Sequence, residues 1–171
     1  ETGLKKAGLS LDLRKIDANV RDGIRAKAKK ITGKNLTAYI EGRLGLIFDT
    51  TSAKSDKIAN YKKMLDALGY EYKMIYVSAS LDNAQKRNEM RARKLPPEIV
   101  KADWEKAQKN ANGYKSMFKR DFIEVKNDDD IKSLDNKAGK LYGKLMTWSS
   151  QFPGNKLATA WKEQELISKK R

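Results

Sequence analysis

The segment Tyr72-Lys73-Met74-Ile75-Tyr76-Val77 is a short, mainly apolar run of the length of one buried β-strand. The residues before it, 55–68, place apolar side chains on one helical face and are followed by Gly69, which predicts a helix and its end. A further apolar run, Leu44-Gly45-Leu46-Ile47-Phe48, precedes that helix and predicts a strand buried on both faces. The centre of the chain is therefore predicted to form strand, helix and strand in turn.

The residues after this segment continue the alternation. A helix is predicted from Ser80 or Asp82 through Arg91, and Pro96-Pro97 starts another, whose apolar positions step by three and four residues as far as Phe118. Residues 121–125 predict a third strand, and residues 131–148 predict a long helix. Strands that alternate with helices are typical of a parallel sheet wrapped by crossover helices, so we predict an α/β fold.

The residues before the first strand are rich in charge and have apolar positions at helical spacing. Residues 13–31 predict an amphipathic helix closed by Gly33, and a second helix is predicted to end near Gly42. Basic side chains are dense in this region, at Arg21, Arg25, Lys27, Lys29, Lys30 and Lys34. They suit either a nucleic-acid-binding face or a solvated helix face.

The composition excludes several classes of chemistry. Cysteine and histidine are absent from the 171 residues, which rules out disulfides, Cys/His zinc sites, thiol nucleophiles and histidine acid–base catalysis. Lys and Arg number 37 against 22 Asp and Glu, and the net charge of +15 favours partners that carry phosphate. No apolar run approaches the roughly 20 residues of a membrane span, so no membrane partner is expected.

A polar group, Asp49-Thr50-Thr51, directly follows the first predicted strand. Ligands of open parallel sheets collect at the carboxyl ends of the strands, which makes these side chains candidates for a site. A carboxylate there can hold magnesium-bound water or a substrate hydroxyl, and the threonines can donate to phosphate. The other interpretation is that Asp49 only caps the following turn.

Three arginines, Arg87, Arg91 and Arg93, lie within seven residues just before Pro96-Pro97. Arg87 and Arg91 are four residues apart and share a helix face, and Arg93 falls on the loop beyond. Clustered guanidinium groups beside a proline pair suit bidentate contacts to a triphosphate from a mobile lid. The alternative is a solvated basic surface, which is common in a chain this basic.

The stretch Thr32-Gly33-Lys34-Asn35 does not form a Walker A phosphate loop. That loop needs a glycine at position 28, where the chain has Ala28, and a Ser or Thr at position 35. No predicted strand precedes the stretch, so we expect it to mark the end of a helix.

Six segments of the chain together carry a family resemblance, which is strongest over the last of them. They are 4–9, 28–30, 39–51, 68–70, 77–81 and 87–100. In order and spacing they resemble the P-loop kinases related to zeta toxins that tailed phages encode, over roughly residues 4 to 130. The resemblance implies a P-loop-kinase-like core in residues 1–130, with a lid at 84–118, and residues 131–171 as a helical C-terminal extension of the same domain.

The resemblance also implies a kinase that uses ATP and Mg²⁺ and transfers a phosphoryl group to a hydroxyl of a small molecule or polynucleotide. It assigns Asp49 and the lid arginines Arg87, Arg91 and Arg93 to catalysis, and the same arginines to nucleotide binding. Arg43, Thr50 and Thr51 are assigned to the substrate. In such kinases an Asp-Gly-Thr-like element ends the strand beside the active site, whereas this chain has Thr50 in place of the glycine.

A departure from the family lies at the amino-terminal side. The family's first strand, its phosphate loop and its acidic catalytic candidate precede the first matching segment, so residues 1–171 by themselves are expected to be inactive. The alternative function is a non-catalytic basic phage protein that binds nucleic acid or virion components on a degenerate kinase fold. Either function places the protein in the cytoplasm of a bacterial host or in the virion, and its oligomeric state stays open.

Overall fold

The computed structural model describes residues 1–128 and 131–169, and these are mainly helical. Residues 170 and 171, the end of the predicted C-terminal extension, lie outside them. The elements are α1 (Thr2–Lys6), α2 (Ala18–Glu41), α3 (Ser55–Ala67), β1 (Met74–Ser78), α4 (Leu81–Met90), α5 (Pro97–Phe118), β2 (Phe122–Lys126), α6 (Ile131–Ser149) and α7 (Lys156–Ser168). Single 3₁₀ turns lie at Leu13–Lys15 and Lys119–Asp121.

The described strands form one small parallel sheet. β1 and β2 pair in register from Met74 opposite Phe122 to Ser78 opposite Lys126. Two parallel strands need a long crossover connection, and α4 and α5 supply it. The α/β class and the strands predicted at 72–77 and 121–125 are therefore confirmed, with ends that differ by one to two residues.

The core beside the sheet is made by one face of β1. Tyr76 is buried with Ile58 of α3 and Tyr114 of α5, while Ile75 and Val77 on either side of Tyr76 are 41% and 55% exposed. Side chains alternate between the two faces of a strand, so helices cover only one face of β1 among the described residues. The buried hydroxyl of Tyr76 donates to the carbonyl of Ala107 at 3.0 Å, which ties the strand to α5.

The described residues divide into two compact units. The first comprises Glu1–Thr51 and Leu81–Glu105, and the second comprises residues 52–80 together with the chain from Lys106 onward. The second unit contains the sheet and its core. The first contains α2 and α4, and every candidate site residue named from the sequence lies within it.

The strand predicted over residues 44–48 is not formed. These residues have no regular secondary structure, and Ile47 is 98% exposed. A strand requires a neighbour with which its backbone can hydrogen-bond. Within the described chain β1 and β2 pair only with each other, so the apolar run has no neighbouring strand in the first unit.

A single helix replaces the two helices predicted before that segment. α2 runs through Gly33 without a break, because an isolated glycine weakens a helix by only about 1 kcal/mol and does not end it. The helix begins at Ala18, after its cap Asp17, and not at residue 13 as expected, and Gly42 ends it as predicted. None of the residues of α2 is buried.

The turn after α3 is joined to the start of α7. Gly69 has φ of +74°, and a side chain there would come within 2.9 Å of the backbone nitrogen of Ala158. The side chain of Asn155 donates to the carbonyl of Gly69 at 2.8 Å and accepts from the nitrogen of Ala158 at 3.0 Å. Glycine is therefore required at position 69 both for its backbone angle and for the close approach of α7.

Candidate functional site

The predicted substrate-side residues lie on one irregular segment of the first unit. Asp49, Thr50 and Thr51 are exposed and follow the irregular run 44–48 instead of a strand. Arg43 is half-buried, has φ of 52°, and lies in the turn that ends α2. These residues were expected at the carboxyl end of a buried strand, and that placement is wrong because residues 44–48 form no strand.

The three arginines lie at the end of α4 and in the loop that follows it. Arg87 is half-buried in the last turn of the helix, and Arg91 and Arg93 are exposed in residues 91–95, which we call the arginine loop. A helix end followed by a loop is present here as predicted, but α4 ends at Met90, so Arg91, which was expected on the helix, begins the loop. The loop ends where Pro96 and Pro97 begin α5.

The arginine loop is closed by the side chain of Asn88. Its amide nitrogen donates to the carbonyl of Leu95 at 2.8 Å, and its oxygen accepts from the nitrogen of Leu95 at 2.9 Å. Asn88 is only 4% exposed. It lies on the same helix face as Leu81 and Ala84, at spacings of three and four residues, and so takes a core position with a polar group. A buried amide with both functions satisfied rigidifies the backbone that it holds.

Further contacts hold the same loop from both sides. The nitrogen of Leu13 donates to the carbonyl of Lys94 at 3.0 Å. The side chain of Gln85 donates to the carbonyl of Pro97 at 2.8 Å, just beyond the loop. The backbone that carries Arg91 and Arg93 is therefore anchored to α4 and to the turn before α2.

The acidic residue nearest to the arginines is already paired elsewhere. Glu89 lies 3.1 Å from a guanidinium nitrogen of Arg14 and 3.6 Å from the ammonium of Lys94. Within residues 1–128 and 131–169, none of the guanidinium groups of Arg87, Arg91 and Arg93 forms an ion pair. Three positive charges, one at the end of α4 and two on the arginine loop, are therefore open to an anionic ligand.

Arg14 is itself held by a bidentate contact with Asp12, at 2.8 Å for each of two nitrogen–oxygen pairs. The hydrogen bonds from Arg14 lower the pKa of Asp12 from 3.8 to about 2. The carboxylates, with Asp12 first, raise the pKa of Arg14 further above its usual range. Asp12, Arg14 and Glu89 form a chain of charges that supports the base of the arginine loop.

Acid is expected to weaken this support. Because the pKa of Asp12 is lower in the folded state, its contribution to stability is complete well above pH 3.8 and is lost as pH falls through about 2. Urea midpoints measured from pH 7 to pH 2 should show Asp12→Asn less stable than the wild type above about pH 5, and the gap should close toward pH 2. If the difference in stability between the wild type and Asp12→Asn stayed constant down to pH 2, the charge of the Asp12 carboxylate would not contribute to stability.

The cofactors implied by the resemblance fit these residues only in part. Guanidinium groups suit the phosphates of a nucleotide, and α4 offers one at Arg87 while the arginine loop offers two. Among the residues that the structure describes, no group of three or more acidic side chains could hold a metal ion. No magnesium site is therefore assigned to these residues.

Sequence reasoning missed the residues that position the arginines. Asn88, Glu89 and Arg14 are polar, and the sequence gives no sign of which ones meet across the fold. One signal was available for Asn88, since it continues the half-buried stripe of Leu81 and Ala84 where a helix normally has an apolar residue.

One comparison with known proteins identifies the family of the chain. The model of the zeta toxin family matches residues 13–139, which include α4, the arginine loop and the segment 43–51. Because the match covers more than half of the chain, the protein belongs to the zeta toxin family. This membership places it among ATP-dependent, kinase-like phosphotransferases. Searches of the curated proteins and of the solved structures found no match.

In the described part of the chain, no helix combines the length and the apolar character needed to cross a bilayer.

Proposed function

We propose that the protein acts in ATP-dependent transfer of a phosphoryl group to a hydroxyl of a small molecule or polynucleotide, and that the arginine loop binds the phosphates of the nucleotide. One observation carries this proposal: Arg91 and Arg93 extend from a loop anchored at both ends, and they have no ion pair in the described residues. Membership of the zeta toxin family supports the same class of reaction.

Arg87, Arg91 and Arg93 would stabilise negative charge on the phosphoryl group as it is transferred. The bound ATP supplies the phosphoryl group, and ADP is the leaving group. Guanidinium groups on an anchored backbone are effective here because the backbone needs no reorganisation when charge develops. Asn88 contributes by holding the backbone of the loop in place before the ligand binds.

The segment 43–51 would bind the acceptor in this proposal. Asp49 accepts a hydrogen bond from the acceptor hydroxyl, and Thr50, Thr51 and Arg43 contact the rest of the acceptor. The support for these roles is that the segment is exposed and belongs to the same compact unit as the arginine loop.

Nucleotide binding tests the proposal directly. We expect the purified protein to bind ATP more tightly than ADP, and ADP more tightly than AMP, because each phosphate adds charge-assisted hydrogen bonds of about 1.5 to 3 kcal/mol. Calorimetric titration at fixed ionic strength measures the series, and adenosine serves as the control without phosphate. Equal affinity for ATP and adenosine would contradict the proposal.

One observation favours the second candidate, a non-catalytic protein that binds nucleic acid or virion components of a phage in a bacterial host. α2 has no buried residue, and the five lysine and arginine side chains from Arg25 to Lys34 are all exposed to solvent. Binding to duplex DNA that weakens steeply with salt and is unaffected by ATP would support this candidate over the kinase.

A further inference from the structure

A surface groove of about 800 Å³ lies in the second unit, between the start of α3 and the middle of α5. It is lined by Lys54 and Lys57 on one side and by Lys106 and Lys109 on the other. None of these residues belongs to the arginine loop or to the segment 43–51. A volume of this size matches a ligand as large as a nucleotide.

The four lysines are free to meet a ligand. All four are exposed, and none forms an ion pair with another described residue. The ammonium of Lys57 lies 5.4 Å from the ring centre of Tyr61, a contact that leaves its three N–H donors usable. Asp56 is the one carboxylate that lines the groove, so the charge around it is strongly positive.

The framework of the groove is held by buried contacts from α5. The hydroxyl of Tyr114, a residue only 1% exposed, donates to the carbonyl of Ser52 at 2.7 Å. The side-chain amide of Asn110 lies 3.3 Å from the carbonyls of both Ser52 and Ala53. These bonds fix the residues that lead into α3 against α5, so the two lysine pairs keep their places across the groove.

The spacing of the lysines indicates a compact ligand. Lys106 and Lys109 are three positions apart on α5, about 4.5 Å along the helix axis, and Lys54 directly precedes α3, three positions before Lys57. A lysine ammonium binds phosphate as a point charge with rotatable donors, so four of them suit several phosphate groups close together. A nucleic-acid strand would instead use charges spread along an extended track.

We propose that this groove is a binding site for a compact polyanion that carries two or more phosphate groups. The proposal does not depend on the kinase reaction, because it rests on a separate set of residues. It requires the charges at these four positions, not the net charge of the whole protein.

Inorganic tripolyphosphate is the probe for the test. We expect the fourfold variant Lys54→Gln/Lys57→Gln/Lys106→Gln/Lys109→Gln to bind it at least about tenfold more weakly, since each lost charge-assisted contact is worth about 1.5 kcal/mol or more. The matched control, Lys27→Gln/Lys29→Gln/Lys30→Gln/Lys34→Gln on α2, loses the same charge and should bind within about threefold of the protein that keeps all eight lysines. Titrations of both variants are made in the background Arg87→Gln/Arg91→Gln/Arg93→Gln, which removes the arginine loop as a second site.

Three outcomes would overturn the proposal. Equal weakening in the two lysine variants would show that only net charge attracts the probe. No weakening in either would show that tripolyphosphate does not use the groove. Displacement of tripolyphosphate by a short DNA duplex that binds more tightly to the same lysines would show a nucleic-acid surface. Because the substituted lysines are exposed, circular dichroism should show both variants folded.

Discussion

Replacing Arg91 with alanine is expected to weaken ATP binding by about 10- to 100-fold, because a guanidinium–phosphate contact is worth about 1.5 to 3 kcal/mol. Any phosphoryl transfer should fall further, by about 10³-fold or more, since an arginine that stabilises the transferring group acts mainly in the transition state. Arg91 is exposed and follows the last turn of α4, so the free energy of unfolding should change by less than about 0.5 kcal/mol. Calorimetry, a transfer assay and a urea titration measure the three quantities.

Two matched variants separate the role of Arg91 from that of charge. Arg91→Lys keeps the charge but loses the planar bidentate donors, so it should recover only part of the affinity. Arg120→Ala removes an arginine whose side chain is 94% exposed and which lies in the second unit, and it should leave ATP binding unchanged. Wild-type affinity in Arg91→Ala, or equal losses in Arg91→Ala and Arg120→Ala, would remove the arginine loop from the proposed function.

The parts of the fold that could be predicted from the sequence are those where local pattern and packing agree. α5 has apolar residues at steps of three and four, and the same stripe supplies Tyr114 to the core. The run at 72–77 became β1 because a partner, β2, lies within the chain. The equally apolar run at 44–48 did not become a strand, because strand formation depends on a neighbour that the local sequence does not reveal.

The charged residues of the candidate site could be predicted from the sequence, but the residues that position them could not. The sequence itself shows three arginines within seven positions, and the structure places them at a helix end and in the loop after it, as predicted. The contacts between Asn88 and Leu95 and between Arg14 and Glu89 depend on the folded path of the chain, which the local sequence does not show. The four lysines of the groove were equally hidden, since the sequence does not show that residues 54–57 and 106–109 line one groove.

Removing the side chain of Asn88 is expected to cost both stability and binding. In Asn88→Ala the nitrogen and the carbonyl of Leu95 lose their partners in a half-buried place, which should destabilise the protein by about 2 to 4 kcal/mol. The arginine loop would then be ordered only when a ligand binds, and ATP affinity should fall by about tenfold because ordering the loop opposes binding. A urea titration and calorimetry with ATP, both below the melting temperature of the variant, measure the two effects.

Asn88→Asp distinguishes a positioning role from a simple loss of stability. The carboxylate can still accept from the nitrogen of Leu95 but cannot donate to its carbonyl, so the loop should keep one of its two closing bonds. We therefore expect amide hydrogen exchange at Leu95 to be slow in the wild type, intermediate in Asn88→Asp and fast in Asn88→Ala, with ATP affinity falling in the same order. Tyr114→Phe is the control, because it removes a buried hydrogen bond in the second unit. It should lower the free energy of unfolding. Exchange at Leu95 should become faster only as far as that loss of global stability requires. If Asn88→Ala lost stability but bound ATP like the wild type, Asn88 would support the fold alone and the ordered loop would have no part in binding phosphate.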